Sequence, residues 1–172
     1  MTRTSLIAFA LLVGAAQGVV AANPAVETLG TFQDWSAFAF TERGQRVCFT
    51  QSKPTKSEPK GAKRGPINAL VTHRPAEKAT DVVSILMGYP LRSGSEVEVD
   101  VDGQKFKLFI DNETAWGPDA RTDSAVSDAF AKGRQAVVKG VSTRGTNTTD
   151  TYSLSGYSAA LAAISKACNV KR

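Results

Sequence analysis

Residues 95–110 read SEVEVDVDGQKFKLFI, and the fold class follows from their alternation. Val97, Val99 and Val101 alternate with Glu96, Glu98, Asp100 and Asp102, the two-residue period of a strand with one buried and one solvated face. Asp102-Gly103 suits a type I′ turn, which needs positive φ at both central residues and joins two strands through those two alone. With that pair as the loop, Asp100 faces Lys105, Val99 faces Phe106, Glu98 faces Lys107 and Val97 faces Leu108. Charges then meet opposite charges, and apolar residues meet apolar ones. Four carboxylates in a row also invite a calcium reading. Calcium, however, needs oxygens converging from a curved loop, and the lysines across the ladder answer part of the charge, so the row is read as a solvated face.

Similar segments lie on both sides. Asp34 to Thr41 and Arg46 to Gln51 are aromatic and β-branched and are joined by Glu42-Arg43-Gly44-Gln45, while Ala69 to His73, Val82 to Met87 and Ala136 to Val141 have the same character. Two segments read as helix. Asp123 is placed to cap Ser124 to Lys132, with Gly133 as the stop, and Ser155 to cap a run from Gly156 to Ala167. Tyr157, Ala160, Leu161, Ile164 and Cys168 share a stripe of the second helix that faces a core. The expected fold is mainly β: an antiparallel sandwich of roughly 8–10 short strands with two short helices, the last near the C-terminus.

Residues 1–22 have the pattern of a secretory signal peptide. Arg3 is the positive n-region, Leu6 to Val13 the apolar stretch, and Val20-Ala21-Ala22 a small-residue cleavage site. The apolar stretch is shorter than the roughly 20 residues a transmembrane helix requires, and nothing in the mature chain is longer. Removing it leaves a single expected domain over residues 23–172, about 150 residues, enough to bury roughly two thirds of the unfolded surface. The chain is then expected in the periplasm or at the cell surface. Of the net charge of +5, one unit is Arg3, leaving +4, an excess too small to point to nucleic acid.

Most of that excess is local. From Ser52 to Pro66 the chain reads SKPTKSEPKGAKRGP, with Lys53, Lys56, Lys60, Lys63 and Arg64 set against Glu58 alone. Three prolines and two glycines point to a surface loop without regular structure. It is either a solvated connection or a patch for an anionic partner such as a lipid headgroup or an acidic glycan. The second unusual stretch, Lys139 to Gly156, is KGVSTRGTNTTDTYSLSG. Its hydroxyls and glycines suit a hydrogen-bonded hairpin or crossover, and Arg144, Thr146, Asp150 and Tyr152 make it the other candidate binding surface, for a carboxylate or a sugar.

Cys48 and Cys168 are the only cysteines. In an oxidising compartment an even pair favours a bridge, here from near the N-terminal strands to the last helix. One histidine and two distant cysteines make a poor zinc set, so neither a metal nor a cofactor is expected. Catalysis has few means. His73 is the one histidine, no G-x-S-x-G elbow occurs, and bridged cysteines are not nucleophiles. A glycan-directed enzyme would draw on Asp119, Asp123 and Asp128 near Trp116. A structural subunit of an envelope complex would instead expose an apolar patch. Asn112-Glu113-Thr114 and Asn147-Thr148-Thr149 match the glycosylation pattern and are read as ordinary loop residues.

Trp35, Cys48, Arg74-Pro75, Gly88-Tyr89-Pro90, Asp102-Gly103, Ala115-Trp116, Lys139-Gly140, Ser142, Arg144-Gly145-Thr146, Thr149 to Leu154, Gly156 and Cys168 occur in an order that resembles the invasion-associated locus B family of exported bacterial proteins. SxRGT followed by TDTYSLxG and the terminal cysteine carry most of the likeness. The resemblance implies a β-sandwich envelope protein, linked in some members to entry into host cells, with no catalytic residues to carry over. The partner expected is an unknown envelope or host-surface protein, lipid or glycan.

Overall fold

The computed structural model describes residues 25–171. The proposed signal peptide, residues 1–22, lies outside the described residues. Eleven strands form one antiparallel sheet: β1 (Glu27–Phe32), β2 (Trp35–Glu42), β3 (Gln45–Ser52), β4 (Lys56–Glu58), β5 (Asn68–Arg74), β6 (Ala79–Leu86), β7 (Val97–Val101), β8 (Gln104–Asp111), β9 (Thr114–Trp116), β10 (Gln135–Val141) and β11 (Asn147–Ser153). Their spatial order is β1-β2-β3-β5-β6-β9-β8-β7-β10-β11-β4. β8 is the corner. Gln104 to Leu108 pair with β7, and Phe109 to Asp111 pair with β9. The two halves therefore share one strand, and each buries one face in a common core, the sandwich arrangement expected from the sequence.

The 95–110 hairpin has the register read from its charges, with Asp100 opposite Lys105 and Val97 opposite Leu108. Asp102 and Gly103 have φ of 48° and 95°, as a type I′ turn requires. The ion pairs run diagonally: Lys105 to Glu98 at 3.1 Å and Lys107 to Glu96 at 2.8 Å. Long side chains reach the diagonal neighbour across a twisted ladder. Lys139 to Gly156 does form a hairpin, β10 with β11, leading to the final helix.

The helices are α1 (Ala120–Lys132) and α2 (Tyr157–Ala167). The cap of α1 is Asp119, not Asp123: its extended backbone lets the carboxylate accept from the Thr122 N–H at 2.7 Å. Asp123 lies a turn inside, buried, and accepts from the Val83 N–H at 3.0 Å, tying helix to sheet. α2 begins after Gly156, whose φ of +89° and contact with the Phe32 carbonyl leave no room for a side chain, and Ser155 makes no side-chain cap. The stripe from Tyr157 to Cys168 is buried as expected. Trp35 sits at the centre of the core, 4.8 Å from the Tyr157 ring and 6.0 Å from Phe130, with its indole N–H donating to the Ser153 carbonyl at 3.0 Å. Cys48 in β3 is bonded to Cys168 just past α2, with 6.0 Å between their Cα atoms.

Candidate functional site

The segment expected to be an unstructured loop is instead a strap across the sheet edge. Thr55 donates its backbone N–H to the Thr151 carbonyl at 2.7 Å, and Lys56, Ser57 and Glu58 then pair with Thr151, Asp150 and Thr149 as β4. Proline does not prevent this, because Pro54 and Pro59 flank the strand rather than interrupt it. Beyond Glu58 the chain arches over Pro59 to Lys63 and turns inward at Arg64.

Arg64 is the pin. Its side chain is only 6 % exposed and meets Asp150, which is wholly buried, through Nη1–Oδ1 at 2.8 Å and Nη2–Oδ2 at 2.6 Å. Nε and Nη2 both donate to the Met87 carbonyl, at 3.0 and 2.7 Å. The guanidinium also lies 5.0 Å from the centre of the Tyr89 ring. Next along the chain, the Gly65 N–H donates to the Gly88 carbonyl at 2.7 Å. A Cβ on Gly88, whose φ is +72°, would run into the Gly65 carbonyl, so the two segments meet backbone to backbone only because position 88 is glycine.

The opposite wall is the tip of the β10–β11 hairpin. Ser142 and Thr146 close it, each N–H bonded to the other residue, and Thr143 and Arg92 dock it on the 90–92 segment through N–H bonds to the Pro90 and Val141 carbonyls. Between the walls lies a cavity of about 460 Å³. Lys60, Lys63 and Arg64 line one side, Ser142, Arg144 and Thr146 the other, with Tyr89 and Thr148 at the base, their hydroxyls bonded to each other. Burial raises the Tyr89 phenol above its ordinary range, the bond to Thr148 and the charge of Arg64 offsetting part of this. The phenol therefore keeps its proton at physiological pH.

The two candidate surfaces, far apart in sequence, thus face each other, but not all of their residues take part. Lys60, Lys63, Arg64, Arg144 and Thr146 line the cavity. Lys53 lies in a different hollow, beside Asp34 and Gln51, and Lys56 is paired with Glu58 at 2.8 Å. Asp150 and Tyr152 are wholly buried and belong to the floor beneath the site rather than to a binding surface. In β11 Thr148, Asp150 and Tyr152 all point inward, so the period of two that puts Tyr152 in the core puts Asp150 there as well. A buried carboxylate needs a partner, and that requirement is the signal by which Arg64 is recognisable as a core residue. The roles of Tyr89, Ser142 and Thr148 carry no such signal, because they arise from segments that meet only in the fold.

The catalytic candidates are arranged differently. His73 is fully buried, with Nδ1 accepting the Asp81 backbone N–H at 3.1 Å and Nε2 3.1 Å from the Ser165 hydroxyl. A neutral ring that accepts at Nδ1 carries its proton on Nε2 and donates it to Ser165, the reverse of what activating a serine requires. Asp119 is an exposed cap, Asp123 is bonded to β6, and Asp128 lines a separate hollow with Asp102 and Lys132. Trp116 pairs with Phe109 and Ser84 within the sheet. Among the described residues no group of three or more His, Cys, Asp or Glu is placed to hold a metal ion.

Residues 35–165, from the core tryptophan into the last turns of α2, match the family described as Invasion associated locus B (IalB) protein. The chain belongs to the IalB family. Its fold is similar to that of invasion associated protein B from Bartonella henselae, with a TM-score of 0.60 at 15% identity, over 83% of this chain and 97% of that one. No curated protein matches the chain in sequence. Within the IalB framework, the RGT and TDTYSL segments now have places: the first makes one wall of the cleft, and the second is the strand that supplies its buried anion.

Proposed function

We propose that this IalB protein is exported and acts by binding, without catalysis, an envelope or host-surface component at the cleft between residues 59–64 and the Ser142–Thr146 turn. The observation that carries this reading is the convergence of Lys60, Lys63 and Arg144 on one cavity whose lining includes no acidic residue. Several other surface cations are neutralised in place, Arg46 by Glu27, Arg74 by Glu42 and Lys56 by Glu58. Export is supported by the Cys48–Cys168 bridge, a bond typical of oxidising compartments, and by the leader-like residues 1–22. The family's association with invasion fits a role in contact at the bacterial surface. A non-catalytic role is supported by the tautomer of His73 and by the separate engagements of Asp119, Asp123 and Asp128.

Among the described residues no helix is long and apolar enough to cross a membrane. The test is capture from native envelopes by the disulfide-bonded chain and by a Lys60→Glu, Lys63→Glu, Arg144→Glu variant. The reading expects a component retained by the first and lost by the second. Equal retention by both would overturn the cleft as the working surface.

A structural subunit of an envelope complex, the alternative reading, draws on the outer face of the sheet. Phe109 is 49% exposed there and pairs with Trp116, and Phe38 stacks on Phe49 on the same face, at 5.1 Å. Capture abolished by Phe109→Ser but unaffected by the cleft variant would favour it.

A further inference from the structure

We infer, resting on the reading of the cleft as the working surface, that its ligand is an acidic saccharide of one or two rings, held through a carboxylate or phosphate by Lys60, Lys63 and Arg144. The charge argument comes first. Lys60, Lys63 and Arg144 take part in no ion pair among the described residues, and the adjacent carboxylate, Asp150, is already engaged in both oxygens by Arg64. Glu58, bonded to Lys56, also acts on Lys60 at longer range, so the cleft keeps an excess of positive charge, carried chiefly by Lys63 and Arg144, that an anion would satisfy. Arg64 has one donor to spare. Of its five N–H groups, four are used on Met87 and Asp150, which leaves one on Nη1 of a residue that lines the cavity.

The remaining lining separates sugar from lipid and from a bare anion. Ser142 accepts the Thr146 N–H through its hydroxyl oxygen, leaving its own proton to donate, and the Thr146 hydroxyl lies on the exposed rim. Hydroxyls and a phenol beside cations suit a ligand that carries many hydroxyls and one charge. No Leu, Ile, Val, Met or Phe lines the cavity to pack an acyl chain; its apolar surface comes from Pro59, Ala62, the Tyr89 ring and the stems of polar side chains, which suits the face of a sugar ring. A cavity of about 460 Å³ is also larger than one inorganic phosphate needs and falls within the range of small-ligand sites.

The experiment is a titration of the oxidised chain, followed by amide resonances, with digalacturonate, mannose 6-phosphate, lactose and inorganic phosphate at matched ionic strength. The inference expects saturable shifts at Lys63, Arg144 and Thr146 with at least one acidic sugar, and affinities about ten-fold or more weaker for lactose and for phosphate. The two acidic sugars distinguish carboxylate from phosphate as the charged group. Lys63→Ala with Arg144→Ala should weaken the binding about ten-fold while the melting temperature is unchanged, because both residues are exposed. Absence of saturable shifts with either acidic sugar would overturn the inference, as would inorganic phosphate binding as tightly as they do. Cleft-dependent capture of an envelope protein alongside failure of both sugars would sink the ligand assignment while leaving the proposed binding role in place.

Discussion

The Arg64–Asp150 pair and the His73–Asp81–Ser165 group are both polar constellations that join a sheet strand to another segment, the first through the strap and the second through α2, and the first is the one that lines the cleft. By residue type the histidine group is the more chemical of the two, since it contains a carboxylate, an imidazole and a hydroxyl. Its protons, however, are arranged for structure: Nδ1 accepts from a backbone N–H, which leaves the Nε2–H to donate to the Ser165 hydroxyl of α2, beside the disulfide. The arginine pair contains no nucleophile, but it holds a strap in place so that three exposed cations share a cleft with hydroxyls. Access and protonation state, rather than the identity of the residues, separate a site from a joint.

The sealed side should be the costlier one to disturb. Replacing Cys48 and Cys168 together by serine releases a 120-residue separation, for which the chain-entropy account gives about 5 kcal/mol as an upper figure. Urea denaturation of the variant beside the oxidised chain measures it, and a loss below about 1 kcal/mol would mean the bridge matters little to the fold. On the cleft side, Arg64→Ala should cost about 3–5 kcal/mol by stranding the buried Asp150 carboxylate. Adding Asp150→Asn to Arg64→Ala should recover part of that loss; if the two losses instead add, the pair is not coupled as described.

A smaller, pH-dependent effect belongs to the sealed side. Burial raises the Asp123 carboxyl above its usual 3.8, with the Val83 N–H offsetting only part of the shift and the charges of Asp119 and Asp81 adding to it. The folded chain therefore holds this proton to higher pH than the unfolded chain does. The contribution of Asp123 is fully present below the ordinary carboxylate range and is lost as pH rises through the raised value. Subtracting the melting temperature of Asp123→Asn from that of the wild type should give a difference that declines as pH rises above the ordinary carboxylate range. A difference that rises there would contradict the assignment. Smallest of all, Lys60→Ala, Lys63→Ala and Arg144→Ala together should change stability by no more than about 0.5 kcal/mol, since they line a surface hollow rather than the core. A larger loss would make them structural and remove the distinction between the two regions.

How much is legible in the sequence depends on whether a signal is local. The 95–110 hairpin declares its turn, its register and its buried face because each rests on alternation and one dipeptide. The α2 stripe places Cys168 in the core for the same reason. The strap escapes such a reading because proline and glycine content speaks against a strand interior, whereas β4 is three residues long and draws its partner from β11, about ninety residues away in sequence. β1 is hidden because Gly30 and a bulge after Thr28 interrupt its pattern, and β9 because three residues are too few to show a period. Asp119 and Asp123 both sit at the start of α1, and only the fold shows that one caps the helix while the other meets Val83. The cleft is legible in part: its cations stand out in the sequence, but their opposition across a cavity depends on Arg64 turning inward.

Hydrogen exchange of the oxidised chain with and without solubilised envelope material tests the central claim most directly, because it maps the bound surface without assuming a ligand. The account predicts new protection confined to residues 59–66 and 141–149, with the outer sheet face around Phe38, Phe49 and Phe109 unchanged. Protection centred on that outer face, with residues 59–66 exchanging as before, would contradict it.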